Sequence, residues 1–251
     1  MIANYHSHTT RCHHAKGTMR DYVEEAIRGG YKIWGFSDHT PYPFDNGYVS
    51  PIRMLPEELD SYVSEALELK REYKNEIEIK VGLEVEYYPK HFDALMNLCE
   101  DYPIEYFLLA QHHTQNEYDG HYTGFPHEEE EILAQYCAQI KEALDTGKFL
   151  YLAHPDLPHF LGDEQIYDRH MRDLCESLKA HHIPAEINFL GMWDHRNYPD
   201  ERFWQIAGEV GIDVVFGTDT HSPDKVTLPE CEFRAREMVT KYQLRLIEQI
   251  C

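Results

Sequence analysis

Short apolar runs alternate with longer amphipathic segments from one end of the chain to the other. A short apolar run is typical of a buried strand, and apolar positions three and four residues apart are typical of a helix packed on one side. The apolar runs predict seven strands, over residues 2–6, 32–37, 77–87, 104–111, 149–154, 185–189 and 213–217. The helical periodicity predicts seven helices, over residues 18–29, 56–73, 89–100, 128–146, 164–180, 200–210 and 229–247.

This alternation of strand and helix predicts an α/β fold. Seven βα units in series imply a parallel sheet that is closed, or nearly closed, into a barrel. No linker, repeat or low-complexity tract interrupts the series, so we expect residues 1–251 to form a single domain. Thr18 is expected to cap the first helix, which should end at Gly29-Gly30, and Gly147 should follow the fourth helix.

Several connections from a strand to the next helix are long, whereas the connections from helix to strand are short. The long connections cover residues 40–55, 113–127, 155–163 and 190–199. In βα barrels the chemistry lies at the carboxyl ends of the strands, where these loops begin. They therefore predict a substrate pocket on that face of the barrel.

Composition narrows the class of partner and the compartment. The 23 basic and 45 acidic side chains give a formal net charge of −22, which argues against nucleic acid or an anionic membrane as a partner. Six scattered cysteines, no secretory signal and no apolar run long enough to span a bilayer favour a cytoplasmic protein with reduced thiols. A homo-oligomer is left open. A phosphate substrate fits so acidic a chain only if bound cations reverse the local field.

Candidate metal ligands lie at the ends of the predicted strands. His6 and His8 are two residues apart on an extended strand, so both side chains share one face and can chelate one metal ion. Asp219 and His221 repeat that spacing near the other end of the chain. Every predicted strand except the sixth ends in His, Glu or Asp. The ends of the strands between these two pairs contribute Asp38, His39, Glu84, His112 and His154.

Together these motifs resemble the PHP domain, the polymerase and histidinol phosphatase family, over most of the chain from His6 to Pro223. The resemblance rests on the following signatures: His6-Ser7-His8-Thr9, Cys12-His13-His14-Ala15, Ser37-Asp38-His39, Gly82-Leu83-Glu84, Gln111-His112, Ala153-His154-Pro155, Glu186-Ile187-Asn188 and Gly217-Thr218-Asp219-Thr220-His221-Ser222. It implies a distorted, TIM-like (β/α)7 barrel, which agrees with the count of seven units made from the pattern. It also implies two or three divalent metal ions, for which Zn, Fe and Mn all suit imidazole and carboxylate ligands.

The resemblance also implies how the ligands divide among three metals. His6 and His8 bind one metal with Glu84 and Asp219. Glu84 bridges to a second metal, which His112 and His154 hold. His14, His39 and His221 hold a third.

Two of these choices are between adjacent histidines. His14 is preferred to His13 because the family's ligand directly precedes a small residue, here Ala15. His112 is preferred to His113 because the strand phase and the preceding Gln111 fit the family's pattern.

The implied reaction is hydrolysis of a phosphate monoester by a bridging water whose pKa the metals lower. We assign catalytic roles to Asp38, Asp219 and His221. Asp38 would orient a ligand imidazole, although it could equally cap the following turn. Arg196 and then Arg11 are the candidate cations for the phosphate.

The substrate class follows from the same resemblance. It implies a histidinol-phosphatase, which converts L-histidinol phosphate and water to L-histidinol and phosphate in histidine biosynthesis. A PHP phosphoesterase for another small phosphate ester or a nucleotide is the alternative. An amidohydrolase-type hydrolase is a second alternative, since that class also opens with His-x-His.

Overall fold

The computed structural model describes residues 1–250 and contains one parallel sheet whose eight strands follow chain order. The strands are β1 (Ala3–Asn4), β2 (Ile33–Phe36), β3 (Glu78–Val85), β4 (Tyr106–Leu109), β5 (Phe149–Leu152), β6 (Ala185–Asn188), β7 (Asp213–Gly217) and β8 (Arg245–Leu246). The first seven lie within the seven predicted strands. The sheet curls so that its apolar residues pack inward and against the surrounding helices, as the α/β barrel prediction requires.

The helices cover the outside of the sheet. They are α1 (Met19–Arg28), α2 (Leu59–Glu72), α3 (Phe92–Cys99), α4 (Glu130–Asp145), α5 (Glu164–His181), α6 (Phe189–Trp193), α7 (Glu201–Val210) and α8 (Pro229–Lys241). The Thr18 side chain accepts a hydrogen bond from the Asp21 N–H and caps α1, as predicted. Gly30 and Gly147 adopt positive φ angles of 83° and 64° just beyond α1 and α4, a backbone conformation that glycine adopts without strain.

The end of the chain differs from the prediction. The helix predicted over residues 229–247 ends at Lys241, because Gln243 has a left-handed φ of 54° that a helix cannot contain. β8 follows and pairs in parallel with β7. The short helix α6 lies at the start of the loop expected over residues 190–199.

A seam joins the two ends of the chain between β1 and β7. Ser7 and Thr220 form an isolated parallel bridge just beyond the carboxyl ends of the two strands. The Asp219 N–H donates to the His6 carbonyl, and the His8 N–H to the Thr220 carbonyl, both at 3.0 Å. The barrel therefore closes at the rim that carries the candidate ligands. At the opposite end of the seam, β8 lies along β7.

Tyr106 fills the barrel interior on the side away from that rim. Its hydroxyl donates to the Tyr5 carbonyl at 2.7 Å and to the Phe36 carbonyl at 3.0 Å. A Cβ atom at Gly82 would lie 2.3 Å from the Tyr106 ring, so Gly82 is needed for this packing. Gly35 lies against the same side chain. Strand β3 thereby brings Glu84, two residues beyond Gly82, to the rim directly above a packed core.

Of the cysteines, Cys12, Cys99, Cys137, Cys175 and Cys231 are free and buried, whereas Cys251 lies outside the described residues. Among residues 1–250, no helix combines the length and the apolar composition needed to cross a membrane.

Candidate metal centre

The first group of candidate ligands lies where β1, β3 and β7 meet the rim. The Nε2 atoms of His6 and His8 are 3.3 Å apart, and Asp219 Oδ1 lies 3.5 and 3.1 Å from them. Glu84 Oε1 lies 3.3 Å from His6 Nε2. All four side chains are almost fully buried. The structure thus brings together the set expected for one metal.

The second group consists of His112 and His154, which also approach Glu84. His154 Nε2 is 3.1 Å from Glu84 Oε1, and His112 Nε2 is 3.8 Å from the same oxygen. The His112 and His154 rings lie 4.8 Å apart. His6 of the first group approaches this oxygen too, at 3.3 Å, so Glu84 is shared by the two groups.

The third group lies nearer to solvent. One donor atom from each of His14, His39 and His221 falls within 4.8 Å of the other two. His39 Nδ1 also lies 2.6 Å from Glu84 Oε2, and the His221 ring stacks on His8 with centroids 4.0 Å apart. The three groups form one continuous cluster rather than separate sites.

The structure separates both pairs of adjacent histidines. His13 ends the turn Thr10–Cys12 with a left-handed φ of 67°. Both His13 and His14 are exposed, but the His14 ring centroid lies 4.7 Å from that of His221. His112 faces Glu84. His113 packs on the Tyr122 ring at 5.4 Å instead. In each pair the preferred residue is the one that lies in the cluster.

The carboxylates and imidazoles of the cluster shift one another's pKa values. Burial alone would raise the pKa of Glu84 and Asp219, but the surrounding histidines outweigh it and hold both pKa values well below the usual range. Burial likewise would lower the pKa of His6, but Glu186, Asp219 and Glu84 outweigh it and raise that pKa. Burial lowers the pKa of His39 to about 4. The carboxylates are thus ionised while part of the imidazole cluster stays neutral.

Metal ions fit this donor set. The facing Nε2 atoms of His6 and His8 cannot both carry a proton and point at each other, so a shared cation suits them better than a shared hydrogen bond. His221 Nε2 is buried and has no hydrogen-bond partner among the described residues. Imidazole nitrogens with two carboxylates match the preferences of Zn, Fe and Mn.

Two buried carboxylates contact the Nδ1 atoms of the His6 and His8 rings, whose Nε2 atoms face the cluster. Asp38 accepts hydrogen bonds from the Thr9 and His39 N–H groups at 3.0 and 2.8 Å and lies 3.4 Å from His8 Nδ1. Asp38 therefore contacts both the backbone of the local turn and the ring of a candidate ligand. Glu186 Oε1 lies 2.9 Å from His6 Nδ1 in the same way.

Sequence reasoning missed the buried carboxylate of Glu86, which lies beside His112. Glu86 lies two residues beyond Glu84, and its Oε2 accepts hydrogen bonds from the backbone N–H groups of His112 and His113 at 3.0 and 2.9 Å. The spacing of two along β3, which places both glutamates on one face, was the signal that could have identified it.

A cavity of about 550 Å³ opens onto the cluster. It is bounded by His8, His39, Glu84, His112, Asp219 and His221 of the cluster, and by a largely apolar wall of Ile52, Tyr122, Phe125, Leu190, Trp193 and Tyr198. Among the described residues that line it, Arg196 is the only lysine or arginine. Its guanidinium donates to Asp194 at 2.9 Å.

The second candidate cation, Arg11, lies elsewhere. Its Nη2 donates to Glu65 Oε2 on α2 at 2.9 Å, and Arg11 is not among the residues that line the cavity. Glu65 therefore pairs with the positive charge of Arg11.

The fold and the cluster define a class: a parallel α/β barrel with a multinuclear metal centre at the carboxyl ends of its strands. Comparison with known proteins agrees. The model of the PHP domain matches residues 4–190. The chain belongs to the PHP domain family and is a metal-dependent phosphatase whose cofactors are divalent metal ions.

Relatives cover nearly the whole chain. The histidinol-phosphatase of Bacillus subtilis (strain 168) is 33% identical over 253 residues, which cover 88% of this chain and 94% of that protein. A Deinococcus radiodurans protein named probable histidinol-phosphatase is 28% identical over 240 residues, 90% of this chain and 88% of the relative.

A solved structure shares the fold. It is the histidinol phosphate phosphatase of Lactococcus lactis subsp. lactis Il1403, complexed with Zn, L-histidinol and phosphate. It superposes with a TM-score of 0.73 at 19% identity, over 98% of this chain and 95% of that one.

Proposed function

We propose that this protein hydrolyses L-histidinol phosphate to L-histidinol and phosphate. The observation that carries the proposal is a continuous cluster of histidines and carboxylates that opens into a cavity with a single arginine. Such a site can neutralise a phosphate ester in an otherwise acidic chain, since Arg196 and the metal ions that the cluster would hold place positive charge together.

We infer that nine residues bind the metals. His6, His8 and Asp219 hold the first with Glu84; Glu84, His112 and His154 hold the second; and His14, His39 and His221 hold the third. When bound, the ions supply Lewis-acid chemistry, which polarises the phosphate and activates water.

The remaining steps fall to the chain's own residues. Asp38 and Glu186 hold the His8 and His6 rings with one nitrogen directed into the cluster. Arg196 binds the non-bridging oxygens of the phosphate and stabilises the charge that develops there during in-line displacement. We infer catalytic roles for Asp38, Asp219 and His221 through this arrangement, with Asp219 and His221 at the junction between the first and third groups.

The cavity also suits the alcohol half of histidinol phosphate. A flat imidazole can pack against the wall formed by Tyr122, Phe125 and Trp193. Asp194, which lines the same cavity, can accept a hydrogen bond from the substrate's amine. The names of the two relatives and the ligands of the Lactococcus structure support the same substrate.

The proposed partner is therefore a small phosphorylated metabolite rather than a nucleic acid or a membrane, in keeping with the net charge of −22. A cytoplasmic location accords with a biosynthetic role and with the sequence.

The test is phosphate release from a panel of monoesters by protein loaded with Zn or Mn. L-histidinol phosphate, a nucleoside monophosphate, a phosphotyrosine peptide and p-nitrophenyl phosphate make up the panel. We expect kcat/KM to be highest for L-histidinol phosphate and activity to vanish after chelation. A higher kcat/KM for another ester would show that L-histidinol phosphate is not the preferred substrate, while the proposed hydrolysis of phosphate esters would stand. No phosphate release from any ester would refute both the substrate and the reaction.

A further inference from the structure

Arg53 is a buried arginine that lies outside the ligand cluster. It is 1% exposed and comes from the long rim loop between β2 and α2. Its Nη2 donates to Glu86 Oε1 at 2.5 Å, and its Nε donates to Glu117 Oε2 at 2.6 Å. The Tyr42 and Tyr88 rings flank the guanidinium, with centroids 5.6 and 5.9 Å from its central carbon.

Glu117 fastens the second long rim loop, between β4 and α4, to the first. Its Oε1 accepts hydrogen bonds from the Ser50 and Tyr48 hydroxyls at 2.6 and 2.9 Å, while Oε2 accepts from Arg53. The two loops thus share one buried carboxylate–arginine–carboxylate network, formed by Glu86, Arg53 and Glu117.

Glu86 connects that network to the cluster. Its Oε2 accepts hydrogen bonds from two consecutive N–H groups, those of His112 and His113, which sets the direction of the peptide between them. With that peptide held, His112 faces Glu84 and His113 packs on Tyr122. The orientation of Glu86 in turn depends on the guanidinium that holds its other oxygen.

Stability alone does not account for such a network. Replacing a buried ion pair with apolar side chains of similar volume is often neutral or stabilising, because taking the charges out of water offsets their attraction. The network holds the backbone N–H groups of both adjacent histidines, of which His112 faces Glu84. A positioning role accounts for both its burial and its location.

We propose that Arg53 is a positioning residue that, through Glu86, fixes His112 rather than His113 toward the second metal and makes both rim loops part of the metal centre. The inference rests on the proposed function, in which His112 is a ligand of that metal.

The experiment measures zinc bound per chain, and zinc affinity, in Arg53→Met, Arg53→Lys and His112→Ala. Arg172→Met is the matched control, since Arg172 also bridges two carboxylates, Asp168 and Glu209, but on the outer helices. Loss of a partner behind a metal ligand typically weakens metal affinity about 10- to 100-fold. We expect that loss in Arg53→Met, at the same zinc equivalent that His112→Ala loses. We expect Arg53→Lys to recover part of the zinc affinity, because its ammonium restores the positive charge but not the planar guanidinium that donates to two carboxylates. We expect no change in zinc affinity in Arg172→Met.

Activity adds a readout that a merely structural residue would not affect. In Arg53→Met, kcat should rise toward the wild-type value as zinc is increased, because His112 is still present. If Arg53→Met does not fold, Glu86→Gln is measured instead. It removes the charge but keeps the size, and should lose the same zinc equivalent.

The outcomes separate the two proposals. If His112→Ala binds as much zinc as the wild type, the ligand assignment of the proposed function is wrong and this inference fails with it. If His112→Ala loses one zinc while folded Arg53→Met or Glu86→Gln binds zinc with wild-type affinity, only the positioning role is overturned.

Discussion

Replacing Arg196 with methionine should weaken phosphate binding while leaving the metals in place. The substitution keeps an apolar stem of similar length and removes the only arginine or lysine among the described residues that line the cavity. A hydrogen bond to a charged group contributes about 1.5–3 kcal/mol, or about 10- to 150-fold in kcat/KM. The side chains of Arg196 and Asp194 are 38% and 43% exposed, so solvent screening favours the lower part of that range, about 10- to 30-fold.

The assay is phosphate release from L-histidinol phosphate, with inhibition by inorganic phosphate measured alongside. We expect KM and the inhibition constant for phosphate to rise together and zinc content to stay at the wild-type value. Arg196→Lys should recover part of kcat/KM, and Arg11→Met should change it by less than twofold, because Arg11 pairs with Glu65. A twofold or smaller effect of Arg196→Met, with unchanged inhibition by phosphate, would refute the assignment of this arginine.

Three further predictions concern the metals, the core and pH. His14→Ala should lower the metal bound per chain, whereas His13→Ala should not, as metal analysis of the purified variants would reveal. Gly82→Ala should reduce the free energy of unfolding in urea by about 1–3 kcal/mol, because the new Cβ overpacks the Tyr106 ring; an unchanged urea midpoint would contradict this. Burial would raise the pKa of Glu117, but Arg53 outweighs burial and lowers that pKa in the folded protein. The ionised Glu117 therefore stabilises the folded state above about pH 4.3, the pKa of an unfolded glutamate, and this stabilisation is lost as pH falls through the lower pKa of the folded state. Stability measured from pH 3 to 7 should therefore fall less steeply below pH 4.3 in Glu117→Gln than in the wild type.

The regular part of the fold was predictable because it depends on local pattern. Alternating apolar runs and helical segments located seven strands and the helices between them, since both periodicities are properties of neighbouring residues. β8 was not predictable in this way. Its two residues, Arg245–Leu246, lack an alternation of their own and are defined by pairing with β7.

The same distinction applies to the metal centre. Most candidate ligands could be found because they follow an apolar run, and parallel strands place their carboxyl ends at one rim, whereas His14 was found only through the family's motif. Among the residues that contact these ligands, Asp38 could be proposed because it directly precedes His39, but partners that are distant in sequence could not be identified. The contact between Glu186 and His6 joins residues 180 apart, and that between Arg53 and Glu86 joins residues 33 apart. No local sequence pattern indicates which acidic side chain contacts which basic one.

The seam between β1 and β7 has a consequence for how the chain folds. It joins residues more than 200 positions apart, as in the hydrogen bond from Thr218 N–H to Asn4 Oδ1, with a separation of 214. Contacts this distant in sequence form slowly, because the intervening chain must first be brought into order. His6 and His8 stand on one side of the seam and Asp219 and His221 on the other, so a metal ion that needs both sides binds tightly only after the ends have met. Mass action then favours that closed state over the open one. Bound metal should therefore stabilise the contact between β1 and β7, and removal of the metal should make that contact open more often.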